Sequence, residues 1–414
     1  MAERRPTTPD MRDPVGHALQ SVLDAARSMD GGELASYIPE LARADPAALG
    51  IALVSSSGAV YGAGDTDAEF TIQSVSKPFV FALALEQRGL TAVMRHVGPE
   101  PSGEPFNAIS LEESSGRPLN PMINAGAIVT TSLMPGDTAT EKFASIHAGL
   151  NAFAARDLDL DDAVFESEMA TGDRNRALAY LTLSAGTLGS GVDAATGAYF
   201  RQCSLTVTAR DLAVMAVTLA NGGRNPLSGD QVVGEDVARW TTAIMASCGM
   251  YDASGDWLLR VGLPAKSGVG GGIVALQPHQ FGIGTFSPRL DARGNSVRGI
   301  AMLEALSSGY GLHVLAHHGA PLSPIAELAR DEIDGDTVAL LRGEILFAGA
   351  EEVLTRLAPF VSDRGRLVLD FTNVTRVGFG ARRVFRTLQD AAADGAGARS
   401  NIAIRDPHGV LDDD

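Results

Sequence analysis

Apolar and polar positions along the chain follow one rhythm up to about residue 310 and a different one after it. A helix-period stretch, HALQSVLDAARSM, is followed after residue 49 by IALVSSSGAVYGAGD, two apolar runs around a Ser-Gly turn that predict a hairpin. Next comes FTIQSVSKPFVFALALEQRG, where Lys77-Pro78 precedes a solid apolar run that stops at Gly89. Proline in the first turn and glycine beyond the end predict a buried helix there. From about 91 to 260 the helical period persists, broken by loops such as SSGRPLNPMINAGA and ANGGRNPLSGD. GGIVALQ, QFGIGTFS and VRGIAML then predict three strands. Strands therefore flank a large helical middle, an α+β layout with an antiparallel sheet built from the two ends and a helical lobe between them.

Between about Ser307 and Gly335 the chain passes GYG, HHGAPLSP and the acidic DEIDGD, the features of a connection. Beyond it strands and helices alternate: TVALLRGEILF, AEEVLTRLAPF, RLVLDFT, ARRVFRTLQDAAADG and NIAIRD. That alternation over some 80 residues predicts a separate small α/β domain. The resulting division is a disordered leader over 1–14, a large domain over 15–310, a linker over 311–332 and the small domain over 333–414.

Composition narrows the functional classes. With 414 residues the chain is long enough for a large core, and its formal net charge of −17 argues against nucleic acid or an anionic membrane as partner. No apolar run approaches the roughly 20 residues that span a bilayer. The opening MAERRPTTPDMRDP leads into no apolar segment, so no signal peptide is expected; two cysteines, Cys203 and Cys248, suit a reducing cytoplasm. The basic residues are more telling. Of 33 Lys and Arg, only Lys77, Lys142 and Lys266 are lysines. Arginine stays charged and cannot act as a base, whereas a desolvated lysine can be neutral near pH 7.

Two of the three lysines sit in chemically suggestive settings. Ser74-Val75-Ser76-Lys77 places a serine and a lysine on one face of an expected first helical turn, where a neutral lysine can take the serine proton. Backbone N–H groups at a helix start can face a developing oxyanion. Lys266-Ser267-Gly268 opens an expected strand in a glycine-rich run that lets backbone N–H groups approach a ligand. Lys142, in TATEKFASIH, is expected to be a solvated surface residue. The eight histidines suggest no metal site: His313, His317 and His318 have helical spacing without a carboxylate or cysteine partner.

S-x-x-K followed about 190 residues later by K-S-G is the pairing of penicillin-recognising serine acyl enzymes. The fuller set ASYIPELA, QSVSKPF, SGRPLNPMINAGAI, SEMATGDRNRALAY, YFRQCSLTVTARDLAVMAVTLANGG, SCGMYDASG and GLPAKSGVGGGI resembles the serine-dependent glutaminase family, in order, from about residue 20 to 310. The resemblance implies a β-lactamase/transpeptidase-like fold. No S-D-N triplet occurs, and Tyr251 of SCGMYD appears instead.

The family's roles fall on this sequence as follows. Ser74 resembles the nucleophile toward the side-chain amide of L-glutamine, Lys77 its base, and Tyr251 the proton relay to departing ammonia and from the hydrolytic water. The backbone N–H groups of Ser74 and Val269 resemble the oxyanion hole, and Lys266 the family's sheet-edge lysine. Substrate contacts fall on Tyr37, Asn124, Glu168, Asn175 and Tyr199. A carboxylate for the α-ammonium and amide or hydroxyl donors for the α-carboxylate suit a zwitterion. The implied reaction is hydrolysis of a linear amide, with no metal and no cofactor, by a homo-oligomer (dimer or tetramer).

GDTVALLRGEILFAGAEEV and LVLDFTNVTRV resemble the STAS domain, a small regulatory fold, which implies a protein partner or an assembly role. The family's Asp-Ser before the second helix reads Gly378-Phe379 here, which removes the phosphoacceptor. Two other functions compete: a different serine acyl hydrolase of the penicillin-recognising fold, and a non-catalytic protein that binds partners through the STAS-like end. The absent S-D-N weighs against the first, and intact Ser74, Lys77 and Tyr251 against the second.

Overall fold

The computed structural model describes residues 13–104, 108–316, 322–330, 336–361, 365–393 and 401–412. The chain divides into two compact units, residues 1–316 and 317–414. The expected leader falls mostly on residues 1–12, outside those described. Its last residues are ordered, because Asp13 caps helix α1 (Pro14–Arg27) by accepting from the Gly16 N–H.

The hairpin forms as expected, with β1 (Gly50–Ser55) and β2 (Val60–Gly64) antiparallel. They join β3 (Ala265–Ser267), β4 (Gly272–Gln277) and β5 (Phe281–Phe286) in one antiparallel sheet ordered β2-β1-β5-β4-β3. The two ends of the unit thus meet side by side, and β1, buried almost throughout, reads as a continuous apolar run because both of its faces are covered.

VRGIAML is not a third strand. It opens helix α10 (Val297–Tyr310), which a Ser296 side chain caps by accepting from the Gly299 N–H. Seven residues are too few to separate the two periods; over the full helix Met302, Leu303 and Leu306 recur at helical spacing and are buried. They pack with Leu19, Leu23 and Ala26 of α1 and with Ile51, Ile273 and Ile283 on one face of the sheet.

The opposite face carries α8 (Ala209–Ala220). Helix and sheet touch backbone to backbone because β5 alternates with glycine: a Cβ on Gly284 would fall 2.0 Å from the Ala209 carbonyl oxygen. Beyond α8 lies the helical lobe, with α2 (Lys77–Arg88), α3 (Asn124–Ser132), α4 (Ala139–Ala154), α5 (Asp162–Thr171), α6 (Asp173–Ser184), α7 (Val192–Cys203) and α9 (Glu235–Cys248). Residues 77–85 of α2 are all buried, as the apolar run predicts.

Lys142 departs from its expected surface position. It is only 3% exposed, and its Nζ donates to the carbonyls of Ser132 at 2.9 Å and Met134 at 2.7 Å. Carbonyls at a helix C-terminus lack intrahelical donors, so a buried ammonium caps the end of α3. Burial, then the Arg88 charge, lowers its pKa. Lys142→Met should lower the unfolding free energy by about 2 kcal/mol, read by denaturant titration, because two buried acceptors lose their donor. A midpoint within error of wild type would overturn the capping role.

In the second unit β6 (Ile325–Arg330), β7 (Thr337–Ile345), β8 (Leu367–Val377) and β9 (Ile402–Arg405) form a sheet in that order. The β6–β7 pair is antiparallel and the others are parallel. Strand β6 lies in the stretch expected to be a linker. Helices α11 (Phe347–Leu357) and α12 (Phe379–Ala393) follow β7 and β8 and share its core through Val353, Leu357 and Phe385. Among the described residues no helix is long and apolar enough to cross a membrane.

Candidate active site

Ser74 does not lie in the first turn of α2, as the spacing suggested, but on a separate 3₁₀ turn, Gln73–Ser76, that feeds it. Pro78 has no N–H to bond the Ser74 carbonyl four residues back. The Lys77 N–H takes that carbonyl instead and closes the tighter turn. Side chains three apart eclipse on a 3₁₀ turn, so Ser74 and Lys77 still share a side. Gln73, just before the serine, has φ +47°, in the left-handed region.

Lys77 is 1% exposed, and burial drops its pKa to about 7. Its Nζ donates to Asn124 Oδ1 at 2.7 Å and to the Met122 carbonyl at 3.3 Å. Asn124 opens α3, and its Nδ2 donates to Asn175 Oδ1 at 3.0 Å. Tyr199 on α7 directs its hydroxyl to Asn124 Oδ1 at 3.5 Å. Glu168 and Asn175 stand on α5 and α6, which meet at Gly172. A Cβ there would lie 2.3 Å from Phe200 Cζ, so glycine lets the junction close on α7 beside Tyr199.

The ring of Tyr37 is half exposed, but its hydroxyl lies in the site, 3.0 Å from Glu168 Oε1 and 3.1 Å from Gln73 Oε1. Burial raises the pKa of Glu168, while hydrogen bonds from Tyr37 and Gln73 pull it back down. Burial raises Tyr37 and Tyr199 as well, with the nearby Glu168 charge adding to it.

These groups enclose a cavity of about 280 Å³ lined by Tyr37, Ser74, Asn124, Glu168, Asn175, Tyr199 and Val269, seven of the residues singled out from sequence. Lys77, Tyr251 and Lys266 stand outside the lining and connect to it through neighbours. Tyr251, itself at φ +57°, is hydrogen bonded to Ser74 and donates to the Ser267 carbonyl at 2.9 Å. Burial pushes its pKa up, so it stays a phenol. Lys266 is fully buried. Its Nζ donates to the same carbonyl at 2.5 Å and lies 3.9 Å from the centre of the Tyr251 ring. Burial, then the Lys77 charge, holds its pKa well below the usual lysine range.

Gln73, Arg174 and Cys203 line the cavity too and were not singled out. Gln73 adjoins the serine, and Cys203 stands one turn beyond Tyr199, so helical spacing could have found the second. Burial pushes the Cys203 thiol up to about 12, which leaves it a neutral, unreactive group. Among the described residues no cluster of three or more His, Cys, Asp or Glu could hold a metal. The His313 ring contacts the Leu258 carbonyl at 2.9 Å, and His317 and His318 lie outside the described residues.

Comparison with known proteins adds to this geometry. The Glutaminase family profile matches residues 32–315. The chain is 51% identical over 304 residues to Glutaminase 1 of Bradyrhizobium diazoefficiens, covering 73% of this chain but only 49% of that protein. It is 42% identical over 410 residues to a glutaminase of Corynebacterium efficiens, covering 98% of this chain and 96% of the relative. A crystal structure of Mglu in its glutamate form superposes with a TM-score of 0.84 at 38% identity, covering 97% of this chain and all of that one. The chain belongs to the glutaminase family.

Proposed function

We propose that this chain hydrolyses L-glutamine to L-glutamate and ammonia through a γ-glutamyl ester on Ser74. The observation that carries the reading is Lys77. A neutral amine has two N–H bonds and one lone pair. Asn124 Oδ1 and the Met122 carbonyl accept both of those bonds, so the lone pair is available to take a proton from Ser74, which shares its side of the turn.

Attack on the side-chain amide then forms the Ser74 Oγ–C bond, and the serine proton passes to Lys77. The oxyanion is received by the backbone N–H groups of Ser74 and Val269. Tyr251, a phenol in contact with Ser74, gives its proton to the amide nitrogen as the C–N bond breaks and ammonia leaves, and takes in exchange the proton held by Lys77. Water then adds to the ester and its proton passes through Tyr251 and Lys77 to Ser74 Oγ as the Oγ–C bond breaks, which frees glutamate and restores the serine. Glu168 receives the α-ammonium, while Asn124, Asn175, Tyr37 and Tyr199 serve the rest of the amino-acid head. Lys266 steadies Tyr251 by lying on its ring and sharing the Ser267 carbonyl. No step calls for a metal or cofactor.

The second unit supports a STAS-like reading, with its mixed four-stranded sheet and a helix after each long parallel strand. Phe379, 75% exposed, stands where the family carries its phosphoacceptor, so any role there is docking or assembly, not phosphorylation.

The test measures ammonia release from glutamine and asparagine, and hydrolysis of a chromogenic β-lactam, by the full chain and by a chain ending at residue 316. Glutamine alone should turn over, at similar rates in both. Turnover of the β-lactam instead of glutamine would favour the other acyl hydrolases, and loss of all activity on truncation would involve the second unit in the chemistry.

A further inference from the structure

A line of buried hydrogen bonds runs from the helical lobe into the nucleophile turn. Thr131 on α3 donates its hydroxyl to Gln202 Oε1 at 2.9 Å. Gln202 on α7 donates from Nε2 to Ser76 Oγ at 3.1 Å, and Ser76 donates to the Gln73 carbonyl at 2.7 Å. Thr131, Gln202 and Ser76 are each fully buried. All three donors point the same way, and the line ends on a single backbone oxygen.

That oxygen belongs to the peptide joining Gln73 to Ser74. In a planar trans peptide the carbonyl and the N–H point in opposite directions, so holding the oxygen also aims the Ser74 N–H. Gln73 sits at φ +47°, a conformation seldom adopted by residues other than Gly, Asn and Asp, and such geometry persists only where its surroundings over-determine it.

We propose that Thr131, Gln202 and Ser76 are positioning residues that hold this peptide so that the Ser74 N–H is aimed at the developing oxyanion. None of them lines the cavity, so their effect reaches the substrate only through the turn. The line also ties the turn to α3 and α7, the helices that carry Asn124 and Tyr199. The inference rests on Ser74 being the nucleophile and goes beyond it by naming what sets the oxyanion donor.

Steady-state kinetics on folded variants, checked by thermal melting, provide the test. Ser76→Ala should lower kcat for glutamine about tenfold with KM changed less than about twofold, because a misaimed donor weakens transition-state stabilisation and not ground-state binding. Thr131→Val keeps the shape and loses the hydroxyl; Thr131→Ser keeps the hydroxyl and loses a methyl. The valine variant should lose several-fold in kcat and the serine variant should stay near wild type. The Ser76→Ala/Thr131→Val double variant should be no slower than Ser76→Ala alone, since both cut one line. The reverse order at position 131, or a folded Ser76→Ala with more than half of wild-type kcat, would overturn the proposal. Ser74→Ala separates it from the nucleophile reading. A folded Ser74→Ala with kcat near wild type would sink that reading. Wild-type kcat in Thr131→Val beside an inactive Ser74→Ala would sink the positioning line alone.

Discussion

Ser74→Ala is expected to lower kcat for ammonia release from glutamine by about four orders of magnitude or more, the scale seen when a serine acyl enzyme loses its nucleophile. The side chain is small and buried at the floor of the cavity, so alanine should leave the surrounding walls in place. Glutamate affinity by calorimetry should therefore change little while turnover disappears. Residual activity within tenfold of wild type would remove the acyl-enzyme, because no other hydroxyl among the lining residues shares a turn with a buried lysine. Tyr251 offers no substitute nucleophile, since burial keeps it protonated.

Lys77→Arg should be nearly as damaging as Lys77→Ala, with both losing about three orders of magnitude in kcat/KM. Arginine restores the charge but cannot be neutral at working pH. The wild-type lysine, with its pKa near 7, changes state in the accessible range. Its neutral form is the base, so kcat/KM should fall about tenfold per pH unit below about 7 and level off above it. The linkage sign follows the same shift. Between pH 7 and the ordinary lysine value of 10.5 the unfolded chain holds the proton and the folded one does not, so this residue makes the fold more stable as pH rises through that window. An arginine variant with most of its activity, or a profile flat from pH 5 to 8, would refute the base assignment.

The sequence was most informative where chemistry is local. Ser74 and Lys77 are three residues apart, so they share a side of the turn in 3₁₀ geometry as they would in α. The hairpin and buried α2 were legible because a Ser-Gly turn and a Pro-to-Gly frame mark their ends. The family resemblance brought together Glu168, Asn175 and Tyr199, which on their own read as ordinary surface or core residues. What was not legible depends on tertiary placement. The target of Lys142 is the end of a helix that closes ten residues upstream, and no pattern around TATEKFASIH shows those carbonyls. VRGIAML was too short to reveal its period. The left-handed backbone of Gln73 has no sequence mark, since glutamine is not a residue that favours it.

All three lysines turned out to be interior, at 1%, 3% and 0% exposure for Lys77, Lys142 and Lys266. The positive charge on the outside of the molecule is therefore carried by guanidinium groups. Acylating reagents, reducing sugars and aldehyde crosslinkers, all of which attack primary amines, meet no lysine ε-amine on the folded surface. A lysine that does react marks a molecule that has opened.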